Sequence, residues 1–277
     1  MRVGIGVGGS LLIAFSAAYW VATGGIDPAR KAPAWLTEKP IAHRGLYTTN
    51  SVRPENSLAA FRAAADRGFA IELDVQVTSD GQLVVLHDRK LERMTGDPRE
   101  VSKVPAAEVT ALRFLGSTET VPTLAQVFDV VGGRVPIFIE VKNRGEEVGR
   151  LEDEVASQAA SAAATTHVAI VSFNPRSLAR IAEKAPSVPR GQSSGNFQGD
   201  GLSFVTRAIL GRLLMNWKSR PDFISYELDG LPSFGTWLQK CRGRPLIVWT
   251  ARTQDQYERA RKLGDNVMFE LDATPDR

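Results

Sequence analysis

Short apolar runs alternate with helix-like stretches along most of this chain, and that alternation limits the folds it can adopt. The predicted strands are almost continuously apolar, which is typical of parallel strands covered on both faces. They lie at residues 41–42, 70–75, 83–86, 136–141, 168–173, near 190, and at 222–226, 246–249 and 267–269. The predicted helices include residues 57–67, 124–131, 147–164, 175–184 and 254–263. Asn56 and Asn174 are suitable N-cap residues for two of them.

The number of these units indicates an α/β protein, specifically a (β/α)8 or TIM barrel. About eight β–α units over roughly 240 residues match the size of such a barrel. No Walker loop follows any of the predicted strands, so an open nucleotide-binding sheet is the weaker alternative. We therefore expect a barrel over residues 41–277, preceded by a linker at 27–40 that three prolines interrupt.

Composition excludes several classes of protein. The 277 residues are 43% hydrophobic and contain one cysteine, which rules out disorder and a disulfide scaffold. The formal net charge is +3, of which residues 1–40 carry +2, so the folded part is nearly neutral. A nucleic-acid-binding domain usually concentrates basic charge on its folded part, and we expect no nucleic-acid partner.

The N-terminal segment at residues 1–26 is predicted to be a hydrophobic helix that anchors the protein in a membrane. Val3 to Ile26 are uncharged, and a helix of ~20 apolar residues can cross a bilayer. Tyr19 and Trp20 would suit its interfacial end. The alternatives are a signal peptide cleaved from a secreted or periplasmic protein, and a buried helix of a soluble core. Basic residues flank the segment almost equally, so the orientation stays open.

Three carboxylates interrupt apolar strands where a core strand would carry Val or Leu. Glu72 and Asp74 are two residues apart and so share one face of their strand, and Glu140 lies on the next long strand. Burying three carboxylates together is costly unless a cation neutralises them. Oxygen ligands favour a hard divalent metal, so the residues predict a site for Mg²⁺ or Ca²⁺.

Basic residues accompany these carboxylates at the predicted strand ends. His43 and His87 would flank the metal, and two imidazoles there supply a general base and a general acid. Arg44 and Lys142 add positive charge suited to phosphate oxygens. Taken singly, each residue could instead cap a turn or form a surface ion pair. Taken together, they predict metal-assisted cleavage of a phosphodiester.

An ordered series of motifs resembles one known family, the glycerophosphodiester phosphodiesterases. The series starts with His43-Arg44-Gly45, Pro54-Glu55-Asn56-Ser57, Glu72-Leu73-Asp74, Thr78-x-Asp80-Gly81, His87-Asp88 and Leu91-x-Arg93-x-Thr95. It continues with Val121-Pro122-Thr123-Leu124, Glu140-Val141-Lys142 and Trp249-Thr250. The resemblance covers roughly residues 41–275.

The resemblance implies a metal-dependent barrel that hydrolyses glycerophosphodiesters to an alcohol and glycerol 3-phosphate, in phospholipid breakdown. It implies that His43 and His87 are the acid/base pair. The carboxylates Glu72, Asp74 and Glu140 would bind Mg²⁺ or Ca²⁺, and Arg44, Lys142 and Trp249 would bind phosphate or substrate. It also implies that residues 88–122 form a small insertion over the mouth of the barrel.

The late motifs depart from the family pattern and leave the substrate range open. Ala251-Arg252 follows Trp249-Thr250, and the final strand ends in Phe269-Glu270, where the family usually has other residues. Residues 202–217 are predicted to be a barrel helix packed inward, with an amphipathic helix touching lipid as the alternative. Two other functions therefore stay open: lysophospholipase D-type hydrolysis of lysophospholipids, and a catalytically silent, membrane-tethered phosphodiester-binding protein.

Overall fold

The computed structural model describes residues 14, 16–24, 31–48, 52–143, 145 and 147–270. Its strands are β1 (Ile41–Ala42), β2 (Ala70–Val77), β3 (Leu83–Val85), β4 (Ile137–Val141), β5 (Val168–Ser172), β6 (Arg190–Ser194), β7 (Phe223–Glu227), β8 (Leu246–Ala251) and β9 (Asn266–Phe269). Its helices are α1 (residues 16–22), α2 (Leu58–Asp66), α3 (Glu92–Thr95), α4 (Ala106–Ala111), α5 (Leu124–Val131), α6 (Arg150–Ala162), α7 (Pro175–Lys184), α8 (Phe204–Gly211), α9 (Asn216–Ser219), α10 (Phe234–Cys241) and α11 (Gln254–Leu263). Short 3₁₀ helices lie at Ala34–Leu36, Val101–Lys103 and Leu228–Gly230.

Eight parallel strands close into a barrel, which confirms the predicted (β/α)8 fold. The order around the barrel is β1, β2, β4, β5, β6, β7, β8 and β9, and β1 pairs with both β2 and β9. Ile41 is in register with Ala70 on one side and with Met268 on the other. Because all eight strands run the same way, their C-terminal ends meet at one rim, where active sites of such barrels lie.

Strand β3 lies outside the barrel, so the prediction that residues 83–86 form a parallel barrel strand is wrong. It pairs antiparallel with β2, with Val75 opposite Val85. The reason is the length of the connection. Only five residues, 78–82, separate the two strands, and a parallel crossover needs a dozen or more. A tight hairpin is the arrangement that this connection allows.

Two apolar layers surround the barrel strands. Inside the barrel, Phe138 and Phe223 pack edge to face at 6.0 Å with Ile247 and Met268 in the same cluster. Leu36 of the first 3₁₀ helix is fully buried against this cluster. The larger layer packs the outer strand faces against the helices, with Phe61 of α2 among its largest buried side chains.

Residues 88–122 pack as a separate small core next to β3. Val84 and Leu86 of the hairpin contact the buried side chains of this segment, which includes α3 and α4. The members from the segment itself are Leu91, Val101, Val104, Val109, Phe114 and Val121. This segment therefore carries its own hydrophobic support and displaces no barrel strand.

Helix starts follow local side-chain chemistry, with one correction. Asn174 caps α7 as predicted, since its side chain accepts a hydrogen bond from the Arg176 N–H. Asn56 does not cap α2. Ser57 does, because its Oγ accepts from the Ala60 N–H at 3.2 Å.

The N-terminal prediction concerns mostly residues outside those described. Residues 1–13, 15 and 25–30 of the predicted anchor and linker belong to that group. Within the described part of the chain, no helix is both long enough and apolar enough to cross a membrane.

Helix α8 differs from the prediction for residues 202–217. Residues 204–206 of α8 are exposed and residues 207–211 are half-buried, so the prediction that a helix here packs inward is wrong for the first turn of α8. Leu213, which follows α8, is buried.

Candidate active site

Three buried carboxylates meet at the C-terminal rim of the barrel. Glu72 and Asp74 point from the same face of β2, and Asp74 is in register with Glu140 on β4. One oxygen of each carboxylate lies within 4.8 Å of the others. The exposed fractions of Glu72, Asp74 and Glu140 are 1%, 0% and 8%. The structure thus brings together the three residues predicted to bind a metal.

Two basic side chains neutralise part of this negative charge. Lys142 Nζ lies 2.9 Å from Asp74 Oδ1 and 2.7 Å from Glu140 Oε1. Arg44 Nε lies 3.3 Å from Asp74 Oδ2. Burial opposes ionisation of Asp74, but the charges of Lys142 and then Arg44 outweigh burial and lower the pKa of that carboxyl. Asp74 is therefore ionised at neutral pH.

Glu72 is the member of the triad whose charge is least compensated. Burial raises the pKa of its carboxyl well above the usual range, and the negative charges of Asp74 and Glu140 raise it further. Its Oε2 accepts a hydrogen bond from the Arg44 N–H at 3.0 Å, whereas its buried Oε1 accepts none from the described residues. An oxygen of this kind, next to two more carboxylates, fits a hard divalent cation.

Asn56 holds Asp74 in place, a role that the sequence did not predict. Its Nδ2 donates to Asp74 Oδ2 at 2.8 Å, and its Oδ1 accepts from the Asp74 N–H at 3.3 Å. Asn56 is buried and has a left-handed φ of 57°, which asparagine tolerates better than most residues. The sequence feature that could have indicated this role is the position of Asn56 in the Pro54-Glu55-Asn56-Ser57 motif.

His43 follows β1 and is paired with a carboxylate from the other end of the barrel sequence. Its Nδ1 lies 3.2 Å from Glu270 Oε1, and its Nε2 lies 3.9 Å from Glu72 Oε2. Burial alone would raise the pKa of Glu270, but the hydrogen bond with His43 and the charges of His43 and Arg252 lower it to about 2. Glu270 was noted in the sequence only as a departure from the family pattern.

His87 is paired in the same way with its neighbour in sequence. Its Nδ1 lies 2.7 Å from Asp88 Oδ1, and Arg93 Nε donates to Asp88 Oδ2. Burial lowers the pKa of the His87 imidazole, with the charge of Asp74 opposing the effect. Asp88 and Arg93 were visible as motif residues, but the sequence assigned them no contact.

The predicted residues surround one cavity of about 240 Å³. Its lining includes His43, Arg44, Glu72, His87, Glu140, Lys142 and Trp249. Asp74 is fully buried and contacts Arg44 and Lys142 of this lining. The Trp249 ring packs edge to face against Phe173 at 5.5 Å. Seven of the eight residues predicted from the sequence therefore line this cavity, and the eighth, Asp74, contacts two of them.

A second cavity adjoins the first and is more apolar. It has a volume of about 460 Å³ and shares Glu140, Lys142, Phe173, Phe197 and Asp200 with the wall of the first. Its remaining wall combines apolar residues, among them Leu202 and Leu210, with polar ones, among them Asn143, Asn174 and Arg176.

A parallel barrel with three carboxylates placed to hold a cation and two histidines at its C-terminal rim has the groups that metal-assisted hydrolysis of a phosphodiester requires. The model of the glycerophosphoryl diester phosphodiesterase family matches residues 43–269. The chain therefore belongs to this family.

Known proteins resemble the chain in sequence and in fold. YhdW of Bacillus subtilis (strain 168) is 28% identical over 237 residues, which cover 81% of this chain and 90% of that protein. The glycerophosphodiester phosphodiesterase of Caldanaerobacter subterraneus is 35% identical over 161 residues, or 54% of this chain and 64% of that one. A phosphodiesterase structure from Oleispira antarctica, in complex with sn-glycerol-3-phosphate, has a TM-score of 0.67 at 22% identity and covers 86% of this chain and 94% of that chain. At that identity, the structural match shows the fold alone.

Proposed function

We propose that this protein hydrolyses glycerophosphodiesters to an alcohol and glycerol 3-phosphate, as a step in phospholipid breakdown. The observation that carries the proposal is the set of three buried carboxylates beside two histidines, each histidine paired with its own carboxylate. Membership in the family and the glycerol 3-phosphate in the Oleispira antarctica structure support the same chemistry.

The carboxylates Glu72, Asp74 and Glu140 are proposed to hold one divalent cation, Mg²⁺ or Ca²⁺. When bound, the cation withdraws charge from the phosphate oxygens and stabilises the charge that develops during cleavage. Arg44 and Lys142 line the same cavity and add fixed positive charge for the phosphate. Trp249 forms part of the opposite wall and is proposed to contact the substrate.

His43 and His87 are proposed to move the protons. Phosphodiester cleavage needs one proton taken from the nucleophile and one delivered to the leaving alkoxide. In the family mechanism, the neighbouring glycerol hydroxyl attacks phosphorus and water then opens the cyclic phosphate. The histidine that acts as base in the first half acts as acid in the second, and the other does the reverse. Their carboxylate partners orient both rings for this exchange.

Alanine variants of the two histidines test this proposal. Each should lose ~10²–10⁴-fold in turnover of glycerophosphocholine with little change in KM, because proton transfer matters mainly in the transition state. A nitrophenyl phosphodiester, whose leaving group needs no proton, should restore activity to the variant lacking the acid and leave the other impaired. Near-normal turnover by both variants would refute the mechanism. Substrate binding without metal-dependent release of glycerol 3-phosphate would support a silent binding protein instead.

A second activity, lysophospholipase D-type hydrolysis, is favoured by the apolar cavity beside the site. Phe173, Phe197, Leu202 and Leu210 offer a place for an acyl chain next to Lys142. Replacement of Leu210 by Asp would lower kcat/KM for a lysophospholipid and leave that for glycerophosphocholine unchanged. An equal effect on both substrates would argue against an acyl subsite.

Residues 1–26 are proposed to anchor the protein in a membrane, with a cleaved signal segment and secretion as the alternative. The support is the uncharged run from Val3 to Ile26. The full-length protein should sediment with membranes and resist carbonate extraction. A mature protein whose N-terminus lies near residue 25 would show cleavage instead.

A further inference from the structure

Exposed apolar side chains are concentrated on one side of the barrel. Of the nine large apolar residues that are exposed in the described part of the chain, seven lie on α1, α8, α9 and α10. These seven, which we call the aromatic face, are Trp20, Val21, Phe204, Val205, Trp217, Phe234 and Trp237. Phe204 is 80% exposed and Phe234 is 63% exposed. Soluble surfaces rarely gather large side chains in this way, so the face indicates an interaction site.

Direct contacts join these elements into one surface. The Tyr19 ring lies 5.7 Å from the Phe234 ring, which stacks on Trp237 at 5.4 Å. Tyr19, Phe204 and Phe234 also line one open groove of about 450 Å³. The groove therefore links α1, α8 and α10.

The end of the uncharged N-terminal segment is held on this surface. Thr23 is fully buried, and its carbonyl accepts hydrogen bonds from Gln239 Nε2 at 3.0 Å and from Arg242 Nη1 at 2.7 Å. The Arg242 guanidinium also lies over the Trp20 ring at 3.8 Å. The residues that precede α1, from Val3 to Ile13, carry no charge. The uncharged sequence of the N-terminal segment thus leads directly into α1, which contributes to the aromatic face.

The segments that carry the face are basic. Residues 202–221 and 231–245 contain seven Lys and Arg residues and no Asp or Glu, although Arg244 is buried and Lys240 is paired with Asp265 at 3.3 Å. Arg207 and Arg212 line the groove beside Phe204 and Phe234. Aromatic side chains with basic neighbours are typical of surfaces that lie in the headgroup region of anionic membranes.

We propose that the aromatic face lies on an anionic lipid bilayer. Helices α8 and α10 then rest in the headgroup region beside the N-terminal segment. The second cavity, which adjoins the candidate active site, is lined in part by Thr206 and Leu210 of α8 and by Leu202, two residues before that helix. With α8 on the membrane, this cavity opens next to the lipid. Substrate can enter the site from the membrane surface. This binding mode is independent of the proposed reaction.

The single cysteine, Cys241, is a suitable reporter of this contact. It is exposed and follows Phe234 and Trp237 by seven and four residues on α10, so the three share one helical stripe. A matched control is Ala125→Cys in a Cys241→Ser background. Ala125 is exposed on α5. Helix α5 lies between β2 and β4, and α10 lies between β7 and β8, so the two helices are on opposite sides of the barrel.

The experiment uses the full chain, labelled at either position with an environment-sensitive dye and mixed with phosphatidylglycerol-containing vesicles. Doxyl lipids should quench the dye at position 241 several-fold more than the dye at position 125. The double variant Phe204→Ser/Trp237→Ser should reduce quenching at 241 to the level of the control. Arg212→Glu should do the same without removing apolar surface, and circular dichroism melts check that the variants fold.

Three results would overturn the proposal. Equal quenching at the two positions of sedimented protein would show attachment through the N-terminal segment alone. Failure to bind the vesicles at all would show that the face has no affinity for lipid. Shielding of the 241 dye without vesicles, together with a dimeric mass, would show that a second copy covers the face.

Discussion

At the residue scale, each histidine is hydrogen-bonded to a carboxylate, and that carboxylate accepts a hydrogen bond from an arginine. Arg252 Nε donates to Glu270, which faces His43 Nδ1, and Arg93 donates to Asp88, which faces His87 Nδ1. A carboxylate at Nδ1 holds the proton on that nitrogen and leaves Nε2 free to exchange protons with substrate. The two halves of the site are therefore built alike, although Asp88 adjoins its histidine and Glu270 is 227 residues away.

Glu270→Gln should lower turnover while leaving KM nearly unchanged. Loss of the carboxylate removes the group that orients His43, and partners of this kind are typically worth about 10–100-fold. Steady-state kinetics on glycerophosphocholine measure the effect. Glu258→Gln, an exposed position on α11, is the matched control and should behave as wild type. A normal kcat for Glu270→Gln would mean that His43 needs no carboxylate.

The same carboxyl should make stability depend on pH. The pKa of Glu270 is about 2 in the folded state, below the 4.5 that is usual for a glutamate carboxyl. A depressed folded pKa stabilises the protein above the unfolded pKa, and the contribution disappears as the pH falls from about 4.5 towards 2. We expect Glu270→Gln to cost ~1–2 kcal/mol in urea unfolding at pH 7, since Arg252 is exposed and screened, and less at pH 3. A difference that grows on acidification would contradict this.

At the element scale, β6 shows how neighbours can form a strand from a sequence with little strand character. Its residues Arg190–Ser194 include no large apolar side chain, yet they pair in parallel with β5 and β7. Gly191 lies under the Phe223 ring, where an added Cβ would approach the ring carbons at 2.3 Å. The small residue lets Phe223 fill the barrel interior.

Gly191→Ala should therefore destabilise the barrel by about 1–3 kcal/mol, the usual cost of overpacking a core. Gly68→Ala is the control that separates steric overlap from backbone strain. Gly68 has a φ of +74° and open space around its Cα, so its substitution costs about 1 kcal/mol through conformation alone. Urea unfolding of both variants gives the comparison. A Gly191→Ala variant as stable as wild type would show that Phe223 can move aside.

At the scale of the whole molecule, the candidate site concentrates charge inside an otherwise apolar barrel. Among the described residues, the three buried carboxylates lie within 4 Å of two permanently charged side chains, Lys142 and Arg44, and of the imidazole of His43. The raised pKa of Glu72 reflects its burial and the two other carboxylates. A divalent cation would relieve this repulsion, and its binding energy would add to the free energy of unfolding.

Mg²⁺ or Ca²⁺ should accordingly raise the melting temperature of the chelated protein. At a hundredfold excess over Kd the gain is about 2.7 kcal/mol, or roughly 5–10 °C for a domain of this size. Glu72→Gln should shrink this shift and, in chelator, should melt no lower than wild type because one repelling charge is removed. Differential scanning calorimetry measures both. An unchanged metal-induced shift in Glu72→Gln would exclude Glu72 as a ligand.

The sequence alone determined the barrel and most of its site because these depend on the pattern of apolar and polar residues within each strand and helix. Alternation of apolar strands and helices predicts the fold, and a spacing of two places Glu72 and Asp74 on one face. His43 reaches the C-terminal rim because β1 is parallel to its neighbours, whereas His87 reaches it because β3 folds back antiparallel along β2. The family motifs then single out the same residues, and the structure collects them around one cavity.

Only the tertiary structure decided the contacts that close the barrel. Glu270 contacts His43 because β9 pairs with β1. The pattern of residues within either strand does not predict this pairing. Asn56 reaches Asp74 through a left-handed backbone, and β3 turns back because its connection is short. The exposure of α8 likewise depends on what packs beside it. Periodicity reports which residues share a face, whereas partners distant in sequence are chosen by how the whole chain closes.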